Sequence, residues 1–149
     1  MGKVVKLLIL HGPNLNLLGE REPEIYGSMT LTDLNRKIRA AAKEHKVKVH
    51  IFQSNSEGEL IDCIHNYRKK CDGIIINPGA YTHYSYAIRD AISSVSRPTI
   101  EVHLSDIKKR EAFRRVSVIE DVCIAQISGH GWQSYSKALD RLLRELKKR

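Results

Sequence analysis

Two short apolar runs, far apart in the chain, place the strongest constraint on its fold. Val4 to Leu10 has the sequence VVKLLIL, and Asp72 to Asn77 has the sequence DGIIIN. Neither run alternates apolar with polar residues, as a strand with one face in water does. We therefore predict two strands that are buried on both faces, as in a parallel sheet covered by helices.

Helix signals alternate with further strand-like segments along the rest of the chain. Thr30 with Asp33, and Ser56 with Glu59, have the spacing of capping boxes and precede amphipathic segments. Further strands are predicted at 47–52, 98–103 and 122–127, and further helices at 87–95, shortly after residue 103, and over 135–146. This alternation predicts right-handed crossovers and an α/β, doubly wound parallel sheet. We expect the flavodoxin-like order 2-1-3-4-5, a single domain over residues 1–149, and a ligand crevice at the carboxyl ends of strands 1 and 3.

The charge of the chain favours an anionic partner. Its 149 residues carry a formal charge of +8, which suits a nucleic acid, a membrane surface or an acidic metabolite. Aromatic residues make up only 6% and form no evident base-stacking ladder. The first apolar run is too short to span a membrane, and three cysteines without CxxC spacing suit a reducing compartment. The expectation is a cytoplasmic protein without nucleic-acid or membrane partners.

Unusual polar residues gather where the predicted strands end. Strand 1 leads to Asn14, strand 3 to Asn77 and His83, and strand 4 to His103 and Ser105. Histidines offer acid–base chemistry near neutral pH, and asparagines can hold a water or an oxyanion. A serine before a predicted helix suits a carboxylate. Each residue also has a structural explanation, as a helix cap, a core histidine or a turn, so the prediction depends on their convergence.

The segment GEREPEIYG, residues 19–27, leaves the same end of the sheet and is bracketed by glycines that permit hinge motion. A tyrosine ordinarily has a pKa of about 10, too high for a base at neutral pH. A nearby guanidinium favours the phenolate. We interpret the segment as a lid on which Arg21 activates Tyr26, with a surface-packed tyrosine as the alternative.

Several common chemistries lack their motifs. The chain has no GxGxxG, no GxxxxGK[ST], no HExxH and no GxSxG, which argues against nucleotide, zinc-protease and serine-hydrolase sites. Two other functions remain as alternatives. A hydrolase built on His103 and Glu101 has no visible nucleophile, and a nucleic-acid-binding module would line one helix face with basic residues.

Five blocks along the chain resemble, in order and in spacing, the type II 3-dehydroquinate dehydratases. They are GPNLNLLGEREPEIYG, QSNSEGELID, GIIINPGAYTH, AIRDA and IEVHLSDIKKREAFRR. The resemblance spans residues 8 to 143. It implies a cofactor-independent lyase that converts 3-dehydroquinate to 3-dehydroshikimate by trans elimination through an enolate. It also implies a homododecamer of four trimers that serves the shikimate pathway or quinate breakdown.

The resemblance further implies a role for each matched residue. Tyr26 is the base that removes the proton at C2, Arg21 activates it, and Asn14 holds a water that stabilises the enolate. His103, oriented by Glu101, is the acid that protonates the leaving hydroxyl. The substrate-binding residues implied are Asn77, His83, Asp90 from a neighbouring subunit, Leu104, Ser105 and Arg110.

The chain departs from the family pattern at several positions, and none of them is a catalytic residue. His11 stands where Asn or another small polar residue is expected. Tyr84 and Tyr86 add aromatic rings near the pocket or a subunit interface, and His130 and Trp132 are not typical of the family.

Overall fold

The computed structural model describes residues 2–149, apart from the side chain of Tyr26. Its centre is a five-stranded parallel sheet in the order β2-β1-β3-β4-β5, which confirms the predicted order. The strands are β1 (Lys6–His11), β2 (Lys48–Gln53), β3 (Gly73–Asn77), β4 (Thr99–His103) and β5 (Ala125–Ser128).

Helices cover both faces of this sheet. They are α1 (Pro23–Tyr26), α2 (Leu31–Glu44), α3 (Glu57–Tyr67), α4 (Tyr86–Val95) and α5 (Gln133–Lys147). Helices α2 and α5 pack on one face and α3 and α4 on the other. Over residues 2–149, no helix combines the length and hydropathy needed to span a membrane.

The local signals for the helix starts are largely confirmed. The Thr30 hydroxyl accepts from the Asp33 amide at 3.1 Å, and the Asp33 carboxylate accepts from the Thr30 amide at 3.2 Å, so this capping box is complete. Ser56 accepts from the Glu59 amide at 3.2 Å, but the Glu59 carboxylate binds the Ser54 hydroxyl instead of closing a box. Such a cap stabilises a helix by about 1 kcal/mol.

The two apolar runs are buried as the sequence predicts. All of β3 is buried, and in β1 Leu7 to Leu10 are at most 1% exposed. Side chains alternate between the two faces along each strand, so Leu7 and Ile9 contact α2 and α5, whereas Leu8 and Leu10 contact α3 and α4. Two apolar clusters therefore hold the strand ends in place from both sides.

The prediction of a helix after β4 is wrong. Residues 107–109 and 112–115 form two short 3₁₀ turns. The positions three and four residues after buried Ile107 are Arg110 and Glu111, so no apolar stripe supports an α-helix here. Asp106, not Ser105, caps the first turn, since its carboxylate accepts from the Lys108 amide at 3.0 Å.

The predicted lid loop contains a single helical turn, α1, which begins at Pro23. The residue before it, Glu22, has a left-handed backbone with φ of 44°, a conformation that non-glycine residues seldom adopt. Proline at the first helical position has its φ preset for a helix, which explains the turn that the sequence interpretation missed.

Candidate active site

A pocket that is partly open to solvent lies at the carboxyl ends of β1, β3 and β4, where the sheet order predicts a ligand crevice. Eight of the predicted site residues line it: Asn14, Arg21, Asn77, His83, His103, Leu104, Ser105 and Arg110. Glu101 lies behind His103. Asp90 is exposed on α4 and is not among the lining residues, and the side chain of Tyr26 lies outside the described part of the structure.

His103 and Glu101 form a buried acid–base pair. The His103 Nε2 atom lies 2.6 Å from a carboxylate oxygen of Glu101, and the two side chains are 6% and 0% exposed. Because Nε2 is committed to Glu101, Nδ1 is the ring nitrogen left for proton exchange with a ligand. Alternation along β4 places both side chains on the same side of the sheet.

Two hydroxyl groups complete the surroundings of Glu101. Thr82 donates to Glu101 Oε2 at 2.5 Å, and Ser117 donates to Oε1 at 2.8 Å. Burial by itself raises the pKa of this carboxyl, but the hydrogen bond and charge of His103, with the two hydroxyls, lower it below its ordinary value. Glu101 is therefore held as a carboxylate whose oxygen fixes the orientation of the His103 ring.

His83 lines the same pocket from the 3₁₀ turn after β3 (Gly79–His83). Its Nδ1 donates to the backbone oxygen of Val116 at 2.7 Å, so Nε2 of the neutral ring is an acceptor. Burial lowers the pKa of His83, and the hydrogen bond to Val116 only partly offsets this. The neutral form is thus favoured, which suits hydrogen bonding to a hydroxyl group.

The two asparagines stand on neighbouring strand ends. Asn14 has a left-handed backbone with φ of 70°, and its backbone N–H donates to Asn55 Oδ1 at 2.9 Å. Asn77 is buried, and its Oδ1 accepts from the Gly79 amide at 3.1 Å. Gly12 allows the two loops to approach, because a Cβ there would lie 2.5 Å from the carbonyl group of Pro78.

Arginines make the mouth of the pocket strongly basic. Arg21 and Arg110 each place a guanidinium nitrogen 3.8 Å from Glu22 Oε2, which links the lid segment to the segment after β4. Arg114 also lines the pocket and was not predicted. Three guanidinium groups around one pocket favour an anionic ligand.

The sequence interpretation also missed Thr82 and Ser117. A threonine inside the YTH segment and a serine inside an apolar segment carry no spacing signal of their own. Their roles depend on the folded distances to Glu101. Within residues 2–149, no group of three or more His, Cys, Asp or Glu side chains is arranged to hold a metal ion.

These features define an α/β enzyme of the flavodoxin-like fold, with an acid–base pair in an anion-binding pocket. The family model described as dehydroquinase class II matches residues 5–143. The chain is 58% identical over 135 residues to a 3-dehydroquinate dehydratase of Caldicellulosiruptor bescii, covering 90% of this chain and 93% of that protein. A 3-dehydroquinate dehydratase of Dictyoglomus turgidum is 56% identical over 139 residues, covering 93% and 96%.

A solved structure agrees with the sequence relatives. The type II dehydroquinase of Butyrivibrio crossotus superposes with a TM-score of 0.93 at 50% identity, covering 95% of this chain and 99% of that one. The chain belongs to the class II dehydroquinases, which confirms the family resemblance inferred from its five sequence blocks.

Proposed function

We propose that this chain dehydrates 3-dehydroquinate to 3-dehydroshikimate in the shikimate pathway, as a type II 3-dehydroquinate dehydratase. Membership of the class II dehydroquinases supports this reaction, as do relatives of 58% and 56% identity that bear the dehydratase name. The observation in the molecule that carries the proposal is the buried His103–Glu101 pair in an arginine-rich pocket. That combination suits an acid-assisted elimination from a carboxylate substrate.

The elimination needs a base, a group that stabilises the enolate, and an acid. We assign the base to Tyr26, whose phenolate is favoured by Arg21 on the same lid. The base takes the C2 proton, and the electron pair moves into the carbonyl group to give an enolate. A water held by Asn14 stabilises the enolate oxygen.

In the second step the enolate collapses and the C1–O bond breaks. The electron pair of that bond leaves with the hydroxyl group, which takes a proton from His103 and departs as water. Glu101, held as a carboxylate by its hydrogen bonds, orients the His103 ring for the transfer. No lysine lines the pocket among the described residues, which supports an enolate over an imine route.

Substrate binding is assigned to the remaining lining residues. Ser105 and the backbone at Leu104 take the carboxylate, His83 and Arg110 take ring hydroxyls, and Asn77 also binds the substrate; all five residues line the pocket. Since Ser105 is not a helix cap, its hydroxyl is not committed to a helix end.

The test is an assay for the ultraviolet-absorbing enone formed from 3-dehydroquinate. Wild-type protein is expected to form it, borohydride is expected to leave the activity unchanged, and Tyr26→Phe is expected to abolish it with the fold intact. Normal turnover by Tyr26→Phe would refute the mechanism, and no turnover by the wild type would refute the proposed activity.

We further propose that residues 1–149 form one domain and that subunits assemble as a homododecamer of four trimers. Both apolar clusters pack on the same sheet, which supports one domain. Tyr86 is the first residue of α4, the helix that carries Asp90, and Tyr84 lies two residues before it. Both rings are exposed, at 66% and 59% respectively. Exposed aromatic rings of this kind favour a subunit interface, across which Asp90 would reach a neighbouring pocket.

Subunit mixing tests the shared site. Asp90→Ala and Tyr26→Phe are each expected to be inactive, and their mixed oligomers to regain activity because some sites contain both native residues. Mixed oligomers that stay inactive would refute the contribution from a neighbouring subunit. The cytoplasmic location and the lack of nucleic-acid or membrane partners stay predictions.

A further inference from the structure

Strand β2 ends at the same edge of the sheet as the pocket, and the residues at its end hold the loop that carries Asn14. Gln53, the last residue of β2, pairs in register with His11 at the end of β1. Its Nε2 atom lies 3.1 Å from the Gly12 backbone oxygen and 3.1 Å from Asn55 Oδ1. Asn55 Oδ1 in turn lies 2.9 Å from the Asn14 backbone nitrogen. A continuous chain of hydrogen bonds thus joins the end of β2 to this loop.

The two ends of this chain determine which way both side-chain amides face. The Gly12 oxygen only accepts hydrogen bonds, and the Asn14 backbone N–H only donates. Nε2 of Gln53 is therefore the NH₂ group, and Asn55 Oδ1 is the carbonyl oxygen that accepts from both neighbours. The same NH₂ group also lies 3.5 Å from Asn16 Oδ1, a longer contact.

The backbone around Asn55 is held from two sides. The backbone N–H of Ser54, which is 5% exposed, donates to the His11 backbone oxygen at 3.0 Å. The Tyr81 hydroxyl donates to the Asn55 backbone oxygen at 2.9 Å. Asn55 is exposed, but it is tied to β1 and to the turn after β3. An acceptor that is fixed in this way loses little freedom when it binds Asn14.

Asn14 needs such a partner because its backbone is left-handed. Its φ of 70° lies in a region that is costly for most residues other than glycine, although asparagine tolerates it better than most. Asn14 precedes the 3₁₀ turn Leu15–Leu17 and lines the pocket. The direction of its side chain therefore depends on a backbone conformation that the hydrogen bond to Asn55 stabilises.

We propose that Gln53 and Asn55 are positioning residues that hold residues 12–14 in this conformation, so that the Asn14 side chain faces the substrate. The inference rests on the proposed function, in which Asn14 holds the water that stabilises the enolate. That interaction strengthens as the enolate forms, so a displaced Asn14 lowers kcat more than it raises KM. Gln53 and Asn55 are not among the described residues that line the pocket, and they act through Asn14.

Two carboxylate substitutions of matched shape separate this role from an effect of charge. Asn55→Asp keeps an oxygen at the position of Oδ1 and so keeps both bonds that this atom accepts. Gln53→Glu replaces the donor nitrogen by oxygen, so the Asn55 amide turns its NH₂ group toward the new carboxylate and no longer accepts from Asn14. Each variant adds one negative charge, and Asn55→Ala removes the acceptor without adding any.

The kinetic readout is kcat for 3-dehydroquinate. We expect Asn55→Ala and Gln53→Glu to lower kcat on the order of tenfold, and Asn55→Asp to keep it within about twofold. In an Asn14→Gly background, where glycine accepts the left-handed backbone, Asn55→Ala is expected to leave kcat unchanged, because the side chain that it displaces is gone. The matched control is Asn66→Ala, at an exposed asparagine of α3, which should leave kcat unchanged.

Amide hydrogen exchange at Asn14 gives a second readout that needs no turnover. The Asn14 N–H is expected to lose protection in Asn55→Ala and Gln53→Glu and to keep it in Asn55→Asp. Equal kcat or equal protection in Asn55→Ala and Asn55→Asp would overturn the proposal, as would a further fall in kcat in the Asn14→Gly background. An inactive wild type would count against the proposed function alone, and hydrogen exchange would then decide whether Asn55 holds the loop.

Discussion

Protonation of His11 should make the stability of this protein depend on pH in a way that can be calculated. Burial lowers the pKa of His11 to about 4 in the folded chain, against 6.5 for an ordinary histidine. Between these values the unfolded chain binds a proton that the folded chain does not. The contribution of His11 to stability is thus complete above pH 6.5 and is lost as the pH falls toward 4.

The size of the effect follows from the two values. The gap between 6.5 and about 4 corresponds to about 3 kcal/mol over the full range, and about 2 kcal/mol of that falls between pH 7 and pH 5. The two hydrogen-bonding partners of His11, Asn35 and Tyr135, do not titrate in this range. Asn35 is an uncharged amide, and burial raises the pKa of Tyr135.

The measurement is urea-induced unfolding at pH 7 and at pH 5, for wild type and His11→Asn at one protein concentration, since assembly makes stability depend on concentration. Other titrating groups, such as His83 and Glu101, contribute equally to both proteins and cancel in the difference. Wild type is expected to lose about 2 kcal/mol more than the variant. An equal loss in both proteins would refute the assignment of a neutral buried histidine.

Three further outcomes are expected. Glu101→Gln removes the carboxylate that pairs with and orients His103, so kcat should fall on the order of a hundredfold or more, and a fall below threefold in steady-state assays would contradict the pairing. Gly12→Ala places a Cβ 2.5 Å from the Pro78 carbonyl and should cost about 1 to 3 kcal/mol in urea unfolding, with wild-type stability as the contrary result. Burial raises the pKa of Cys71 to about 11, so its reaction with a disulfide reagent at pH 8 should be on the order of a hundred times slower than that of a free thiol; a rate near that of free cysteine would show that the thiol is accessible.

The family assignment and the site chemistry support each other from different evidence. The sequence blocks identify the class II dehydroquinases without reference to any distance in the structure. The pocket independently brings eight of the predicted residues together, with a buried carboxylate–imidazole pair at 2.6 Å. Among the predicted residues whose side chains the structure describes, Asp90 stands apart from the pocket and from His103, and its proposed role requires a second subunit.

The sequence by itself determined the sheet and most of its helices. Apolar runs such as Leu7 to Leu10 have a local signature because a strand buried on both faces needs apolar side chains at every position. The capping box also located the start of α2, with Thr30 as its cap. This signal is readable from the sequence because the hydrogen-bonded residues, Thr30 and Asp33, are only three positions apart. Alternating strands and helices predicted a doubly wound parallel sheet with right-handed connections, and the flavodoxin-like order expected among such sheets is the one observed.

Only the tertiary structure decided which polar side chains form hydrogen bonds with one another. Thr82 and Ser117 meet Glu101 across separations of 19 and 16 residues, and His11 meets Tyr135 across 124. Such contacts leave no periodic pattern, because a hydrogen bond between distant segments depends on packing geometry and not on local spacing. The helix predicted after residue 103 was wrong because a single buried side chain, Ile107, provided no apolar face. The sequence thus specified which groups do the chemistry, and the packed sheet determined which protons and lone pairs they present.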